Sequence, residues 1–202
     1  MIFWIPSWTP IPFDSLTSSS ASWDERYRQK PAPAERSGFL VELGHLLPAR
    51  GRALDLACGG GRNSVFLAEH GLRAVGIDRS WHVLQQGREL AARRHVSVSW
   101  IQADLEKFLL PPAAFDVILC FYYRDPCLYA PICASLRPGG LLFYETYTRE
   151  QLQLSEGPRN PAHLLEPAEL LKAFGGWDLL FYRETWIERG VASLVARKPP
   201  ER

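Results

Sequence analysis

From residue 53 onward the chain alternates short, almost wholly apolar runs with longer segments whose apolar positions recur every three or four residues. Residues 53–57, 74–77, 96–101, 115–121 and 141–146 read as strands. Between them, residues 63–70, 80–94 and 128–136 read as helices. Asn63 or Ser64 is expected to cap the first helix, with Gly71 just past its end, and Ser80 to cap the second. Arg137-Pro138-Gly139-Gly140 should end the third in a turn. Strands that are apolar on both faces, each followed by a helix, predict a parallel sheet covered on both sides. The tail departs from this rhythm. Residues 177–186 and 191–197, joined at Glu188-Arg189-Gly190, read as an antiparallel hairpin. Ahead of the first strand, Phe39, Leu40, Leu43, Leu46 and Leu47 fall at helical spacing within residues 35–47, and Pro48 stops the helix. The expected fold class is α/β: a doubly wound, mostly parallel sheet with an antiparallel C-terminal hairpin.

Residues 1–22 have no such period and are rich in Pro, Ser and aromatic residues, so they are expected to form a loosely ordered arm before a domain spanning residues 23–202. A length of 202 residues suits one domain plus an appendage. The net charge of +1 gives no general electrostatic reason to bind nucleic acid or an acidic membrane. There is no apolar run of about 18 residues that could span a bilayer. The first residues lack the basic and apolar regions of a good signal peptide. Cys58, Cys120, Cys127 and Cys133 form no C-x-x-C pair, so a zinc or thioredoxin-type site is not expected. They suit small, mostly buried side chains in a reducing cytoplasm, with no metal.

The chemistry concentrates where the first strand runs into Asp55-Leu56-Ala57-Cys58-Gly59-Gly60-Gly61-Arg62-Asn63. Glycines there let the backbone approach a ligand, and the following helix start offers free N–H groups. In a doubly wound sheet this turn lies at the crevice where strand order reverses. The dinucleotide fingerprint would need Gly or Ala where Ser64 stands. Asp55 within the strand suits a ligand carrying an ammonium rather than a pyrophosphate. Asp78, at the end of the second strand, can accept hydrogen bonds from two vicinal ribose hydroxyls. Asp104 follows the third strand and can take an adenine amino group, with the Leu105 N–H reaching the ring. Three acids at the ends of three successive strands make an amine, ribose and adenine set.

With these residues the sequence resembles the class I S-adenosylmethionine-dependent methyltransferases over about residues 34–197. Asp55-x-Ala57-x-Gly59-x-Gly61 looks like that family's first motif, with Ala57 in place of its first glycine. That replacement should be tolerated at a strand end while slightly narrowing the pocket. Asp78, with Arg79 beside it, matches the ribose-binding acid, and Asp104-Leu105 the adenine-binding pair. Phe115-Asp116-Val117-Ile118 resembles the fourth-strand motif, after which Cys120 and Phe121 would border the sulfonium. The resemblance implies a Rossmann-like sheet of seven strands and S-adenosylmethionine as cofactor. Gly61-Arg62-Asn63-Ser64 and Phe121-Tyr122-Tyr123 further resemble the tellurite-resistance branch, which acts on thiols or chalcogen oxyanions.

No general base for the methyl acceptor is evident in the sequence. His163 falls in residues 148–167, a long polar segment leaving the fifth strand on the ligand side and expected to act as a substrate lid. Arg62, Arg124 and Arg159 could fork onto an anionic substrate. Phe121, Tyr122, Tyr123 and Tyr147 could wall a flat or apolar substrate pocket, and Tyr27 could belong to a segment closing over the cofactor. The expectation is a cytoplasmic enzyme, monomer or homodimer, that methylates a small thiol, chalcogen oxyanion, aromatic or carboxylate. It would need no nucleic-acid or membrane partner. A non-catalytic S-adenosylmethionine-binding protein and a nicotinamide-dependent oxidoreductase are the rival readings.

Overall fold

The computed structural model describes residues 23–25, 27–28, 35–155 and 157–200, so the expected arm at residues 1–22 lies outside the described residues. The strands are β1 (Arg52–Leu56), β2 (Arg73–Asp78), β3 (Val98–Gln102), β4 (Phe115–Phe121), β5 (Leu136–Tyr147), β6 (Asp178–Thr185) and β7 (Val191–Arg197). The helices are α1 (Gly38–Glu42), α2 (Arg62–Glu69), α3 (Trp81–Arg93), α4 (Tyr129–Ser135) and α5 (Glu169–Phe174). All seven strands form one sheet in the order β3-β2-β1-β4-β5-β7-β6. β7 enters antiparallel to both β5 and β6, while the other pairings are parallel. The doubly wound Rossmann-like sheet with its antiparallel hairpin is therefore as expected.

Alternation along the central strands divides the core between the two faces. Leu54, Leu56, Ile118, Cys120, Leu142 and Tyr144 face one way and pack with Ile132 of α4 and with Leu170 and Phe174 of α5. Ala53, Val117, Leu119, Phe121 and Phe143 face the other way, onto Phe39 and Leu40 of α1 and Leu67 of α2. This two-sided cover explains why the strands read as continuous apolar runs.

Four local expectations change. The helix over residues 35–47 is reduced to α1 followed by a 3₁₀ turn at Gly44–Leu46. There Gly44 comes close against Phe66: a Cβ on it would lie 3.2 Å from the ring. Neither Asn63 nor Ser64 caps α2, whose N-cap is Gly61 in the left-handed region. Asn63 instead accepts the Ser37 N–H at 3.0 Å, and Ser64 donates its hydroxyl to Asp55 at 2.6 Å. The segment Arg137–Gly140 does not separate α4 from β5 but lies within β5. Leu136 already pairs with Phe115, and a register shift precedes the Val117–Leu141 pair. Arg137 bonds both carboxylate oxygens of Asp116 at 3.0 Å, which ties this irregular stretch to β4. Finally, α5 was not anticipated, because six residues are too few to show a helical period.

Candidate functional site

β1 has β2 on one side and β4 on the other, so the chain reverses its direction of winding there and leaves a crevice at the carboxyl ends of the strands. A cleft of about 900 Å³ occupies it. Its walls come from the ends of β1 through β5, from Trp23 and Tyr27 of the preceding segment, and from Ala162 and His163 of the loop after β5.

On the β1–β3 side, Asp55, Ala57, Gly59, Asp78, Arg79, Asp104 and Leu105 all line the cleft, as the sequence predicted. Asp78 is 6% exposed, and its two carboxylate oxygens accept the Gly59 N–H at 2.8 Å and the Ser80 N–H at 2.9 Å. Burial raises its carboxyl above the usual range, against those backbone bonds. The side chain is thus fixed by main-chain donors on both sides of the crevice. Asp55 is buried beneath the glycine turn, and burial together with the nearby Asp78 raises its pKa to about 7, against the bond from Ser64. Asp104 is ion-paired with Arg79 at 2.7 Å, so Arg79 already serves one side of this acid. The Ser80 hydroxyl caps α3 by accepting the Val83 N–H at 3.3 Å, and it also bonds the Asp24 carboxylate. Asp24 accepts the His82 N–H as well, at 3.3 Å, which ties the preceding segment to the start of α3.

Three predicted residues lie outside the cleft wall. Gly61 does not line the cleft. It has φ +72°, and a Cβ there would come within 2.2 Å of the Trp100 indole, which also crowds Gly76 and Gly87. The last glycine of the turn therefore serves packing beneath the site. Cys120 is fully buried on the opposite face of β4 from Phe121, donates to the Tyr123 carbonyl at 3.6 Å, and forms no part of the cleft wall. Burial pushes its thiol up to about 12. Arg159 is also outside the cleft wall. Its guanidinium closes its own loop onto the carbonyls of Leu152, Leu154 and Ser155. Ala57 adopts φ +52°, so the position where the related motif has glycine is left-handed here rather than a plain strand end.

The β4–β5 side gathers Phe121, Tyr122, Tyr123, Tyr147 and His163 as expected, with Tyr122 and Tyr147 ring centroids 5.4 Å apart. Tyr27 and Arg62 also reach the wall, although the Arg62 guanidinium donates to the Glu35 carbonyl at 2.5 Å. The described residues of 148–167 form an anchored loop. Thr148 and Leu165 form a parallel bridge, Leu164 and Leu165 are buried, and the Thr148 N–H bonds the Gly190 carbonyl at 2.9 Å. Trp23, Asn63, Glu106, Asp125 and Cys127 are also among the lining residues and carry no sequence signal for it. Arg124 also lines the wall, but two of its nitrogens bond Glu169 of α5 and a third the Ala162 carbonyl. Burial alone would raise the Glu169 carboxyl, but Arg124 and Tyr129 outweigh it and hold the pKa below the usual value. This clamp depended on an unanticipated helix, so no local sequence signal could have found it.

Residues 53–140 match the family described as methyltransferase domain. A ubiquinone biosynthesis O-methyltransferase of Xylella fastidiosa is 33% identical over 138 residues, covering 65% of this chain and 56% of that protein. The chain thus spans a little over half the length of the curated relatives it matches. Among solved structures, TehB from Haemophilus influenzae superposes with TM-score 0.71 at 19% identity, covering 87% of this chain and 66% of that one. An S-adenosylmethionine-dependent methyltransferase from Mesorhizobium loti gives TM-score 0.65 at 21% identity, covering 80% of this chain and 98% of that one. The likeness to methyltransferases holds in sequence over residues 53–140, which include β1 to β4, and in fold over most of the chain. It implies S-adenosylmethionine as cofactor. Among the described residues, no group of acids, histidines and cysteines could hold a metal, and no helix is long and apolar enough to cross a membrane.

Proposed function

We propose that this chain is a class I methyltransferase that moves the methyl group of S-adenosylmethionine onto a small acceptor. The observation that carries the reading is the trio Asp55, Asp78 and Asp104 on one cleft wall, beside a glycine turn whose Gly59 N–H is fixed to Asp78. The donor set fits the cofactor. Asp78 takes the ribose hydroxyls, Leu105 and the Arg79-paired Asp104 hold the adenine, and Asp55 faces the ammonium with the Ala57–Gly59 backbone alongside. The cofactor supplies a methyl carbon already activated by a sulfonium, so the chain's own task is alignment and water exclusion.

The cleft continues past that half to Phe121, Tyr122 and Tyr147, room that supports turnover over cofactor binding alone. Those aromatic walls, and the O-methyltransferase activity named for the Xylella relative, favour an aromatic hydroxyl as acceptor. The thiol or chalcogen-oxyanion reading rests on Gly61-Arg62-Asn63-Ser64 and Phe121-Tyr122-Tyr123 and stays second. The arginine offered for anion recognition, Arg159, is committed to its loop, and Arg124 and Arg62 already have partners. On this reading the protein works in the cytoplasm as a monomer or homodimer, in keeping with its free cysteines. Titration calorimetry with S-adenosylmethionine and with NAD, followed by labelled-methyl transfer to phenols, thiols, carboxylic acids and chalcogen oxyanions, tests it. Binding of the methyl donor and transfer to a phenol is the expected result. Preference for NAD would overturn the cofactor assignment.

A further inference from the structure

The acceptor end of the cleft is backed by a buried acid that the cofactor assignment leaves unused. Glu145 of β5 is 5% exposed. One carboxylate oxygen accepts the Ser193 hydroxyl and the other the Tyr122 phenol, each at 2.7 Å. The Tyr122 N–H also donates to the Glu145 carbonyl at 2.7 Å, so one residue holds Tyr122 by both main chain and side chain. Tyr122 has φ +56°, a left-handed conformation that bulky residues rarely adopt. Such a backbone persists where its surroundings over-determine it, and it concentrates at functional sites. Arg189 also donates to the phenol oxygen, at 3.3 Å. The titratable and charged groups facing Tyr122 are thus Glu145, Arg189 and Tyr147.

A phenol that gives its proton to a carboxylate keeps a lone pair for an incoming donor. We propose that a Tyr122–Glu145 relay is the general base of this site, with Tyr122 Oη receiving the proton of an aromatic hydroxyl acceptor as its own proton passes to Glu145. The inference rests on the methyltransferase reading and narrows its acceptor to a group that must lose a proton. In the step, the acceptor O–H bond breaks and its proton goes to Tyr122 Oη. The Oη–H bond breaks and that proton goes to Glu145. An electron pair on the acceptor oxygen forms the O–CH3 bond, and the pair of the S–CH3 bond stays on sulfur. One negative carboxylate and one positive sulfonium are consumed together, leaving a neutral acid and a neutral thioether. Burial and the neighbouring Glu145 raise the Tyr122 phenol, so it keeps its proton at rest and hands it on only as the acceptor's arrives. Arg189 steadies the oxygen while the two protons move.

The test compares catechol, which must be deprotonated, with thiophenol, which is largely ionised at neutral pH, in wild type, Tyr122→Phe and Glu145→Gln. Positioned general bases contribute roughly 100-fold or more, so both variants should lower kcat for catechol by that factor. Thiophenol turnover should fall far less than catechol turnover, and the affinity for S-adenosylmethionine measured by calorimetry should stay near wild type. If Glu145→Gln does not fold, the catechol-to-thiophenol contrast in Tyr122→Phe carries the comparison alone. Unchanged catechol turnover in a folded variant overturns the relay. So do equal losses for both acceptors, or a wild type that binds S-adenosylmethionine and methylates no catechol. A wild type that does not bind S-adenosylmethionine rejects the methyltransferase reading itself.

Discussion

The two halves of the cleft are built by different means. The half at the ends of β1, β2 and β3 uses acids whose partners come from the same strand ends: backbone N–H groups, the nearby Ser64, and Arg79 for Asp104. Asp78 accepts from Gly59 and Ser80, and Asp55 from Ser64. The half at the ends of β4 and β5 is held by side chains far apart in sequence. Arg124 pairs with Glu169, Glu145 with Ser193, and Arg189 with Tyr122. A site made of strand ends and main-chain donors tolerates variation elsewhere and suits a ligand common to many enzymes. A site assembled from a hairpin, a loop and a short helix can change with each of them, and suits an acceptor that differs from one protein to the next.

The contrast can be broken most severely from below the cofactor half. Gly61→Val would place side-chain atoms into Trp100 and hold valine at φ +72°. Overpacking of ~1–3 kcal/mol and a left-handed penalty of ~1–2 kcal/mol should together lower the melting temperature by roughly 10 °C. Calorimetric scanning checks this, and a variant that melts like wild type would return Gly61 to a purely ligand-facing role.

Asp78→Ala comes next. It should leave the fold intact but weaken S-adenosylmethionine binding at least tenfold, since each lost charge-assisted hydrogen bond is worth ~1.5–3 kcal/mol. Isothermal titration gives the answer, and unchanged affinity would remove the ribose assignment.

Asp55 sharpens the comparison through pH. Its carboxyl rises from 3.8 to about 7 on folding, so the neutral form is favoured in the native state. Its contribution to stability is full below pH 3.8 and is lost as pH climbs through about 7. Asp78 shifts in the same direction by burial. Without ligand, the wild-type melting temperature should therefore fall between pH 5 and pH 8 more than that of Asp55→Asn. A ligand ammonium favours the carboxylate, so cofactor affinity should rise over the same interval, by up to about tenfold for each unit the pKa is lowered. Parallel curves for wild type and Asp55→Asn would sink this account.

Arg159→Ala should have the smallest effect. Cofactor affinity and the Michaelis constant of the acceptor should stay at wild-type values, because the guanidinium serves the loop and not the cleft. Limited proteolysis within residues 148–163 should quicken as three carbonyls lose their donor. A raised Michaelis constant would instead make this arginine an acceptor ligand.

The cofactor half was legible because its signals are local. An apolar strand carrying Asp55, followed by glycines and a helix start, announces itself within ten or so residues, and the acids Asp78 and Asp104 recur at the ends of the next two strands. The acceptor half was legible only as a set of aromatic residues. Tyr122 and Tyr147 were named, but nothing adjacent to either foretold Glu145 behind them or Arg189 beside them. Cys120 was misplaced by one step of strand alternation, since its neighbour Phe121 takes the cleft-facing side. Arg159 was misread because the same residue type serves an anion or a set of carbonyls, and only the folded loop distinguishes them.

Taken by itself, the sequence determined the parallel sheet, the antiparallel tail and the three strand-end acids, because these follow from hydrophobic period and from residues close together in the chain. Tertiary structure alone decided that Gly61 makes room for Trp100, that Arg124 belongs to Glu169, and that a buried glutamate stands behind Tyr122. Each of these depends on contacts between segments tens of residues apart. The register of β5 against β7 brings Glu145 opposite Ser193, and no pattern within either strand encodes that meeting.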